Sequence, residues 1–241
     1  MRTALVTGGA SGIGRAIAEG LAADGLAVII ADLRGAEEAA AEIGGDARGV
    51  ETDVSSTDSV NAAVATAPEG IDVLVNCAGW DDLMPFLKTD EDFWDKVIEI
   101  NYKGILRTCH AAVPGMVERG WGRVINIGSD AGRVGSSMEA VYAGAKGGVI
   151  AFTKTLAREV ARKGVTANTV CPGPTDTPML QGIVAASDDG DKVIRAMTSG
   201  VAMKRLGQPE EIAAAVRFFA GEDAGFITGQ TLSVSGGLTM V

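Results

Sequence analysis

Short runs of β-branched residues alternate with alanine-rich stretches along the whole chain, and this alternation constrains the fold more than any other feature. Seven runs are predicted to be strands: Thr3–Thr7, Ala27–Ala31, Gly49–Thr52, Val73–Asn76, Arg123–Ile127, Val165–Val170 and Thr231–Val234. The predicted helices are Gly14–Asp24, Ala36–Ile43, Ser56–Ala67, Glu91–Glu118, Ala140–Lys163 and Pro209–Ala220. Such alternation predicts an α/β fold, a parallel sheet with helices on both faces. A length of 241 residues suits a single domain, 1–241.

Composition narrows the partners and the environment of the protein. A net charge of −10 opposes the binding of polyanions, so we expect neither nucleic acid nor membrane as a partner. Three separated cysteines and a single histidine provide neither a disulfide framework nor a metal site, so we expect no metal. The chain opens on a strand rather than a signal sequence, and no apolar run reaches the ~18 residues of a spanning helix. We therefore predict a cytoplasmic protein.

A glycine-rich turn follows the first predicted strand. Its residues are Thr7-Gly8-Gly9-Ala10-Ser11-Gly12-Ile13-Gly14, and they lead directly into a helix. Glycines allow a tight turn and a close approach to a pyrophosphate, while the helix N-terminus supplies amide donors and the positive end of its dipole. Glycines alone would be a weak signal, but a turn inside a strand-helix-strand unit predicts a dinucleotide site.

Asp32 ends the second predicted strand, eighteen residues after Gly14. A carboxylate at that position can accept both hydroxyls of an adenosine ribose and would repel a 2′-phosphate. Ser11 leaves the turn without a basic side chain, and Arg34 is the only nearby cation that could support NADP. We therefore predict NAD as the cofactor.

Tyr142 and Lys146 are four residues apart on a predicted helix, and Ser129 lies thirteen residues before the tyrosine. Positions i and i+4 share one helix face. An ammonium beside a phenol favours the phenolate, so we expect Lys146 to lower the pKa of Tyr142 from its ordinary ~10. The hydroxyl of Ser129, at the end of a neighbouring strand, could hold the oxygen that is oxidised or reduced. The pair alone would equally suit surface residues.

A long segment, residues 175–205, interrupts the alternation after the sixth predicted strand. It contains several prolines and glycines and an acidic patch that includes Asp188 and Asp189. Because ligands bind at the carboxyl ends of the strands in open α/β sheets, we predict a mobile lid over the site. The alternative is a structural excursion with two short helices.

These motifs, together with Asn76-Cys77-Ala78-Gly79 and Asn101, resemble the short-chain dehydrogenase/reductase family over essentially the whole chain. The resemblance implies a seven-stranded Rossmann sheet of order 3-2-1-4-5-6-7, nicotinamide-dependent hydride transfer and a homotetramer. It implies Tyr142 as the acid/base and Ser129 as the group that orients the substrate oxygen. It implies that Lys146 binds the nicotinamide ribose and that Asn101 holds a water that relays protons.

The resemblance also implies a set of residues that contact the cofactor. They are Gly8, Ser11, Gly12, Ile13, Gly14, Asp32, Leu33, Asp53, Val54, Asn76, Ala78, Gly79, Tyr142, Lys146, Pro172, Gly173, Thr175 and Thr177. The family usually has asparagine where this chain has Cys77, and we expect that thiol to be structural.

Within the family, four segments resemble dehydrogenases of the 2-hydroxycyclohexanecarboxyl-CoA type: Gly79-Trp80, 133–137, 171–177 and the tail. We therefore expect oxidation of a secondary alcohol, a cyclic hydroxyacyl-CoA. The expected substrate pocket is Trp80, Asp130, Met138, Met179 and Leu180. The alternatives are a CoA-independent dehydrogenase of aryl or alicyclic alcohols and a 3-oxoacyl carrier-protein reductase. A non-catalytic dinucleotide sensor is disfavoured because serine, tyrosine and lysine are all present.

Overall fold

A seven-stranded parallel sheet forms the centre of the computed structural model, which describes residues 1–185, 187 and 189–241. The strands are β1 (Thr3–Thr7), β2 (Ala27–Asp32), β3 (Arg48–Glu51), β4 (Val73–Asn76), β5 (Gly122–Ile127), β6 (Val165–Pro172) and β7 (Thr231–Val234). Their order is β3-β2-β1-β4-β5-β6-β7, and each neighbouring pair is parallel. The predicted single-domain fold and strand order are confirmed.

Helices cover both faces of the sheet. They are α1 (Gly12–Ala23), α2 (Ala36–Ile43), α3 (Thr57–Ala65), α4 (Glu91–Ile98), α5 (Gly104–Arg119), α6 (Ala131–Val134), α7 (Ala140–Val160), α8 (Pro178–Ala185), α9 (Gly190–Ser199) and α10 (Pro209–Ala220). One core packs α1, α2 and α10 against side chains such as Val6, and the other packs α3, α5 and α7 against Leu5. Adjacent residues of one strand therefore point into different cores.

The predicted helix Glu91–Glu118 is divided into three parts. Between α4 and α5 lies a π-helical turn, Glu99–Lys103, that contains the fully buried Asn101. A π turn inserts one residue into the helix and often marks a functional site. Apolar periodicity does not reveal a single inserted residue, so the sequence predicted one continuous helix.

The segment 175–205 carries two helices, α8 and α9, and an isolated bridge joins Thr175 to Gly207. Both helices lie above the carboxyl ends of the strands, because Ile183 and Met197 border the cavity described below. Of the predicted acidic patch, Asp188 lies outside the described residues. The motion of this segment as a lid stays a prediction.

The described residues contain neither a helix suited to cross a membrane nor a group of metal-ligating side chains. No helix there has both the length and the apolar character that crossing a bilayer would need. In the same part of the chain, no three His, Cys, Asp or Glu side chains are grouped as a metal site would require.

Candidate active site

A cavity of about 1010 Å³ opens at the carboxyl edge of the sheet. It runs from the β1–α1 turn, past the ends of β2 and β4, to the start of α7 and the α8 segment. The residues predicted for the cofactor or the reaction that border it are Gly8, Ser11, Gly12, Ile13, Gly14, Asp32, Leu33, Asp53, Val54, Ala78, Gly79, Ser129, Tyr142, Lys146, Pro172, Gly173, Thr175 and Thr177. The fold thus brings residues from the whole chain to one cavity.

The glycine turn has the shape that a pyrophosphate needs. Gly8 has a φ of +67°, and a Cβ there would lie 2.8 Å from the Cα of Ala78. A Cβ on Gly14 would lie 2.0 Å from the carbonyl oxygen of Gly8, so only glycine fits. Ser11 is the N-cap of α1 but makes no side-chain capping bond. The first amides of α1 therefore remain available for an anion.

Asp32 is fixed at the end of β2 by two main-chain amides. Its Oδ2 accepts a hydrogen bond from the Ala10 amide at 3.0 Å, and its Oδ1 accepts one from the Arg34 amide at 3.3 Å. Each carboxylate oxygen has a second lone pair free for a further donor. Asp32 therefore joins the glycine turn to β2 and presents its charge to the cavity.

Asp53 follows β3 and is held by its own turn. It accepts hydrogen bonds from the Ser55 hydroxyl at 2.6 Å and the Ser55 amide at 2.8 Å. Both bonds lower the pKa of Asp53, and the bond from the Ser55 hydroxyl has the larger effect. Val54 packs against Gly104, where a Cβ would come within 3.0 Å of it. The two residues form a wall near the Asp32 end of the cavity.

Ser129, Tyr142 and Lys146 meet between the end of β5 and α7. The Lys146 ammonium donates to the Ile127 carbonyl at 2.9 Å and lies 5.6 Å from the centroid of the Tyr142 ring. Burial lowers the pKa of Lys146 to about 8. Its charge is therefore available near neutral pH and is lost more readily than that of a surface lysine.

The pKa of Tyr142 is shifted in the direction opposite to the expected one. Burial raises it, the carboxylates of Glu139 and Asp81 raise it further, and a hydrogen bond with Ser129 lowers it. The i, i+4 spacing places Lys146 near the phenol, whereas the fold also places two acidic side chains beside it. The phenol of Tyr142 is therefore protonated at neutral pH in this structure.

Asn101 occupies the π turn and is fully buried. Its amide nitrogen donates to the carbonyls of Trp80 at 2.6 Å and Val97 at 2.9 Å, and its oxygen accepts from the Trp80 amide at 3.3 Å. A Cβ on Gly79 would lie 2.9 Å from the Asn101 oxygen and 3.7 Å from the Lys146 nitrogen. Asn101 thus ties the loop after β4 to the neighbourhood of Lys146. Its role in a water relay stays a prediction.

Four of the five residues expected in the substrate pocket, Trp80, Asp130, Met179 and Leu180, border the cavity. Trp80 packs edge-on against Phe93 with ring centroids 5.7 Å apart. Met138 is the exception, because it borders a small neighbouring pocket that it shares with Tyr142. Its φ of +71° lies in the left-handed region, which changes the direction of the chain just before α7.

Asn76 also departs from its prediction. It does not border the cavity, and its side chain lies in a buried polar cluster beneath it. Its nitrogen donates to Asn126 at 2.8 Å, and its oxygen accepts from the Thr108 hydroxyl at 2.6 Å. Because side chains alternate along a strand, the last residue of β4 points toward α5 rather than toward a ligand. We correct it to a structural residue.

Several residues at the site were not singled out from the sequence. Lys96 borders the cavity, with its nitrogen 3.5 Å from the centroid of the Trp80 ring. Ile183 and Met197 border it from α8 and α9, and Asp81 and Glu139 face Tyr142. Some of these had a signal: Lys96 and Ile100 have i, i+4 spacing on one helix face, and Glu139 precedes Tyr142 by three residues.

Comparisons with known proteins agree with this geometry. The family described as enoyl-(acyl carrier protein) reductase matches residues 8–239. An acetoacetyl-CoA reductase of Allochromatium vinosum is 43% identical over 250 residues, covering 99% of both chains. A 3-oxoacyl-[acyl-carrier-protein] reductase of Vibrio cholerae is 41% identical over 247 residues, covering 100% of this chain and 98% of the relative.

A solved structure extends the likeness to three dimensions. A variant of actinorhodin polyketide ketoreductase, crystallised with NADPH, is 37% identical and superposes with a TM-score of 0.91. The match covers 98% of this chain and 97% of the ketoreductase. On its sequence, its fold and its relatives, this chain belongs to the short-chain dehydrogenase/reductase family of oxidoreductases.

Proposed function

We propose that this protein catalyses the reversible, NAD-dependent reduction of a 3-oxoacyl thioester to the 3-hydroxyacyl thioester. One observation carries the reaction type: Ser129, Tyr142 and Lys146 border the same cavity as the glycine turn. A dinucleotide held at the turn and extended along the cavity would reach the wall formed by these three side chains. The residues at both ends thus suit hydride transfer to a carbonyl group.

The side chains divide the work in the reductive direction. A bound nicotinamide dinucleotide supplies the hydride in reduction and takes it up in oxidation. Tyr142 donates its phenolic proton to the carbonyl oxygen as that oxygen becomes a hydroxyl. Ser129 donates a hydrogen bond to the same oxygen, so its developing charge meets fixed donors. Lys146 stabilises the resulting phenolate.

The choice of NAD is supported by Asp32 and Ser11. The fixed carboxylate of Asp32 suits a ribose with free hydroxyls and repels a 2′-phosphate. Ser11 gives the glycine turn no cation to compensate for that phosphate. The competing cofactor is NADPH, which the structurally similar ketoreductase contains.

The substrate class is supported by the relatives. Proteins named acetoacetyl-CoA reductase and 3-oxoacyl-[acyl-carrier-protein] reductase match this chain over 99–100% of its length and 98–99% of their own. Both names describe an acyl thioester with an oxo group on its third carbon. The cyclic hydroxyacyl-CoA expected from the sequence carries its hydroxyl at the same position relative to the thioester. The comparisons favour the linear 3-oxoacyl reading over the cyclic one.

A second candidate, a CoA-independent dehydrogenase of aryl or alicyclic alcohols, is favoured by the apolar wall. Trp80, Met179 and Leu180 border the cavity, and a ring can pack against such side chains. Such a substrate would need no cation for phosphate groups.

A substrate panel tests the proposal. NADH and NADPH oxidation would be measured with acetoacetyl-CoA, a 3-oxoacyl carrier protein, 2-oxocyclohexanecarboxyl-CoA, cyclohexanone and acetophenone. We expect the fastest NADH oxidation with a 3-oxoacyl thioester. Reduction of acetophenone alone would favour the second candidate. NADH binding without reduction of any substrate would refute catalysis and favour a dinucleotide sensor.

The chain offers a matched control for the acid/base assignment. Tyr102 is the only other tyrosine, and it packs near Gly148 of α7 outside the cavity. Tyr142→Phe should lower kcat by at least ~10²-fold, as expected for a lost general acid, and leave NADH binding nearly intact. Tyr102→Phe should retain turnover. Retained turnover in Tyr142→Phe would exclude Tyr142 as the proton donor.

A further inference from the structure

Two carboxyl groups lie beside Tyr142, and the proposed reaction does not use them. Asp81 follows Trp80 in the loop after β4, and Glu139 is the N-cap residue of α7. Both border the small pocket that Tyr142 also borders. The Met84 amide donates to the Met138 carbonyl at 2.9 Å, which holds the two loops together. The pair is therefore built into the wall of the catalytic centre.

The two groups border one small pocket, so their charges act on each other. Within residues 1–185, 187 and 189–241 the Oδ1 of Asp81 is buried without a partner. Burial, followed by the charges of Glu139 and Asp82, raises the pKa of Asp81 to about 7. Below that pH the pair carries one negative charge, and above it two.

Both charges act on the groups proposed to perform the reaction. The charges of Glu139 and Asp81 raise the pKa of Tyr142, and the charge of Asp81 raises that of Lys146 against the effect of burial. A substrate oxygen hydrogen-bonded to Tyr142 would lie in the same negative potential.

A third carboxylate, Asp130, follows Ser129 directly in the sequence. Asp130 is only 3% exposed and borders the cavity. Its Oδ1 accepts a hydrogen bond from the Ser233 hydroxyl, and its Oδ2 has no protein partner in the described part of the chain. An unpaired buried carboxylate oxygen attracts a hydrogen-bond donor and repels an anion. Asp130 and Glu139 therefore both border the cavity that Ser129 and Tyr142 border.

Most basic side chains near these carboxylates are held by other partners or lie elsewhere along the cavity. Arg133 donates to the Ser233 hydroxyl at 2.5 Å and does not border the cavity. Lys146 donates to the Ile127 carbonyl, and Arg34 is beside Asp32 at the opposite end. Lys96 lies over the Trp80 ring, borders the cavity and could compete for an anionic substrate.

We propose that the Asp81–Glu139 pair makes this catalytic centre select the neutral carbonyl of a thioester and reject the corresponding free oxo acid. The inference rests on the proposed function and names a specificity element for it. In a free 3-oxo acid the carboxylate is attached two carbons from the reacting carbonyl, so binding to Tyr142 would bring it near the pair. A thioester has no charge at that place. Repulsion between the substrate carboxylate and one unit charge ~10 Å away, at an effective dielectric of ~20, weakens binding of the free acid about tenfold.

The test compares a neutral thioester with the anion of the same oxo acid, and the change of their ratio with pH isolates the effect of the charge. The neutral N-acetylcysteamine thioester of 3-oxobutanoate and 3-oxobutanoate itself would be assayed with NADH at pH 6 and pH 8. The quantity measured is the ratio of their kcat/KM values. Titration of Tyr142 and Lys146 affects both substrates and cancels from the ratio. In the unmodified protein we expect the preference for the thioester to rise about tenfold from pH 6 to pH 8, as the second charge forms.

Asp81→Asn should lower the preference at pH 8 by about tenfold and remove its dependence on pH. Glu139→Gln should lower it at pH 8 and change it less at pH 6, because loss of the Glu139 charge lets Asp81 ionise at a lower pH. Glu159→Gln is the matched control, because it removes one exposed carboxylate from the same helix far from Tyr142, and its ratio should not change. If 3-oxobutanoate is reduced too slowly to measure, its inhibition constant against the thioester gives the same comparison.

The outcomes separate the inference from the function on which it rests. No reduction of the thioester by the unmodified protein would refute the proposed function. If the thioester is reduced but the ratio of kcat/KM values changes neither with pH nor in Asp81→Asn, only the role of the pair would be overturned. A ratio that responds to Lys96→Met but not to Asp81→Asn would overturn it as well. If a variant does not fold, the pH dependence of the unmodified protein still decides the question.

Discussion

Replacing Asp32 by asparagine should change the cofactor preference from NADH toward NADPH. Asp32 ends β2, and its carboxylate is held by the amides of Ala10 and Arg34 at 3.0 and 3.3 Å. Asparagine has the same shape and keeps one acceptor oxygen for the Ala10 amide, so the glycine turn should persist. What it removes is the negative charge. The variant therefore separates charge from shape.

The magnitude follows from the position of the carboxylate. If a ribose hydroxyl donates to Asp32, a phosphate on that ribose lies about 5 Å from the carboxylate. Two unit charges at ~5 Å repel by about 2 to 3 kcal/mol at an effective dielectric of ~20 to 40, or roughly 30- to 150-fold. Loss of charge-assisted hydrogen bonds should cost NADH about tenfold. The ratio of kcat/KM for NADH to that for NADPH should thus fall by at least ~10²-fold.

The assay measures initial rates with each cofactor at a saturating concentration of one carbonyl substrate. Glu38→Gln is the matched control, since it removes one exposed carboxylate from α2 six residues farther along. Its ratio should change less than about twofold. An unchanged ratio in Asp32→Asn would refute the argument that this carboxylate excludes NADPH. Arg34→Ala in the Asp32→Asn background should then lower the rate with NADPH, because Arg34 is the nearest cation.

Three further predictions test other parts of the structure. Burial lowers the pKa of Lys146 to about 8, below the ~10.4 of the unfolded chain, so the stability of the protein should rise with pH between these two values. Lys146→Met should therefore lower kcat but raise the melting temperature at pH 7. A difference in melting temperature that persists at pH 10 would count against this explanation. Gly8→Ala should weaken NADH binding at least ~10-fold in fluorescence titrations, because the new Cβ would lie 2.8 Å from the Cα of Ala78. The control is Gly25→Ala, where φ is +86° but no atom lies near the new Cβ; it should lose only ~1 kcal/mol of unfolding free energy and keep NADH binding. Equal losses of NADH binding in the two variants would show that backbone strain alone is responsible. Phe226 is fully exposed on the loop before β7, as an aromatic side chain at a subunit interface would be in the isolated chain. Phe226→Asp should therefore reduce the predicted homotetramer to a smaller assembly, measured by light scattering. An unaltered tetramer would place the interface elsewhere.

Local sequence was sufficient for the parts of the site that lie within one element or one turn. The glycine turn, Asp32 at the end of β2 and the i, i+4 spacing of Tyr142 and Lys146 are short-range patterns, and their geometry follows from strand and helix periods. The strand order was predicted through the family resemblance, and the structure confirms it. Element boundaries differed by only a few residues, apart from the π turn at Asn101.

Other features depended on which elements pack together, and the sequence pattern did not contain that information. Asn76 belongs to a familiar motif, yet its side chain points to Thr108 and Asn126 because of its place in the strand. The pKa of Tyr142 rises rather than falls, because the fold buries the phenol and brings Asp81, some sixty residues away in sequence, to its side together with Glu139. Desolvation and long-range charge are properties of the packed structure. The sequence by itself thus determined which groups would perform the chemistry, and only the tertiary structure decided their protonation and the charges around them.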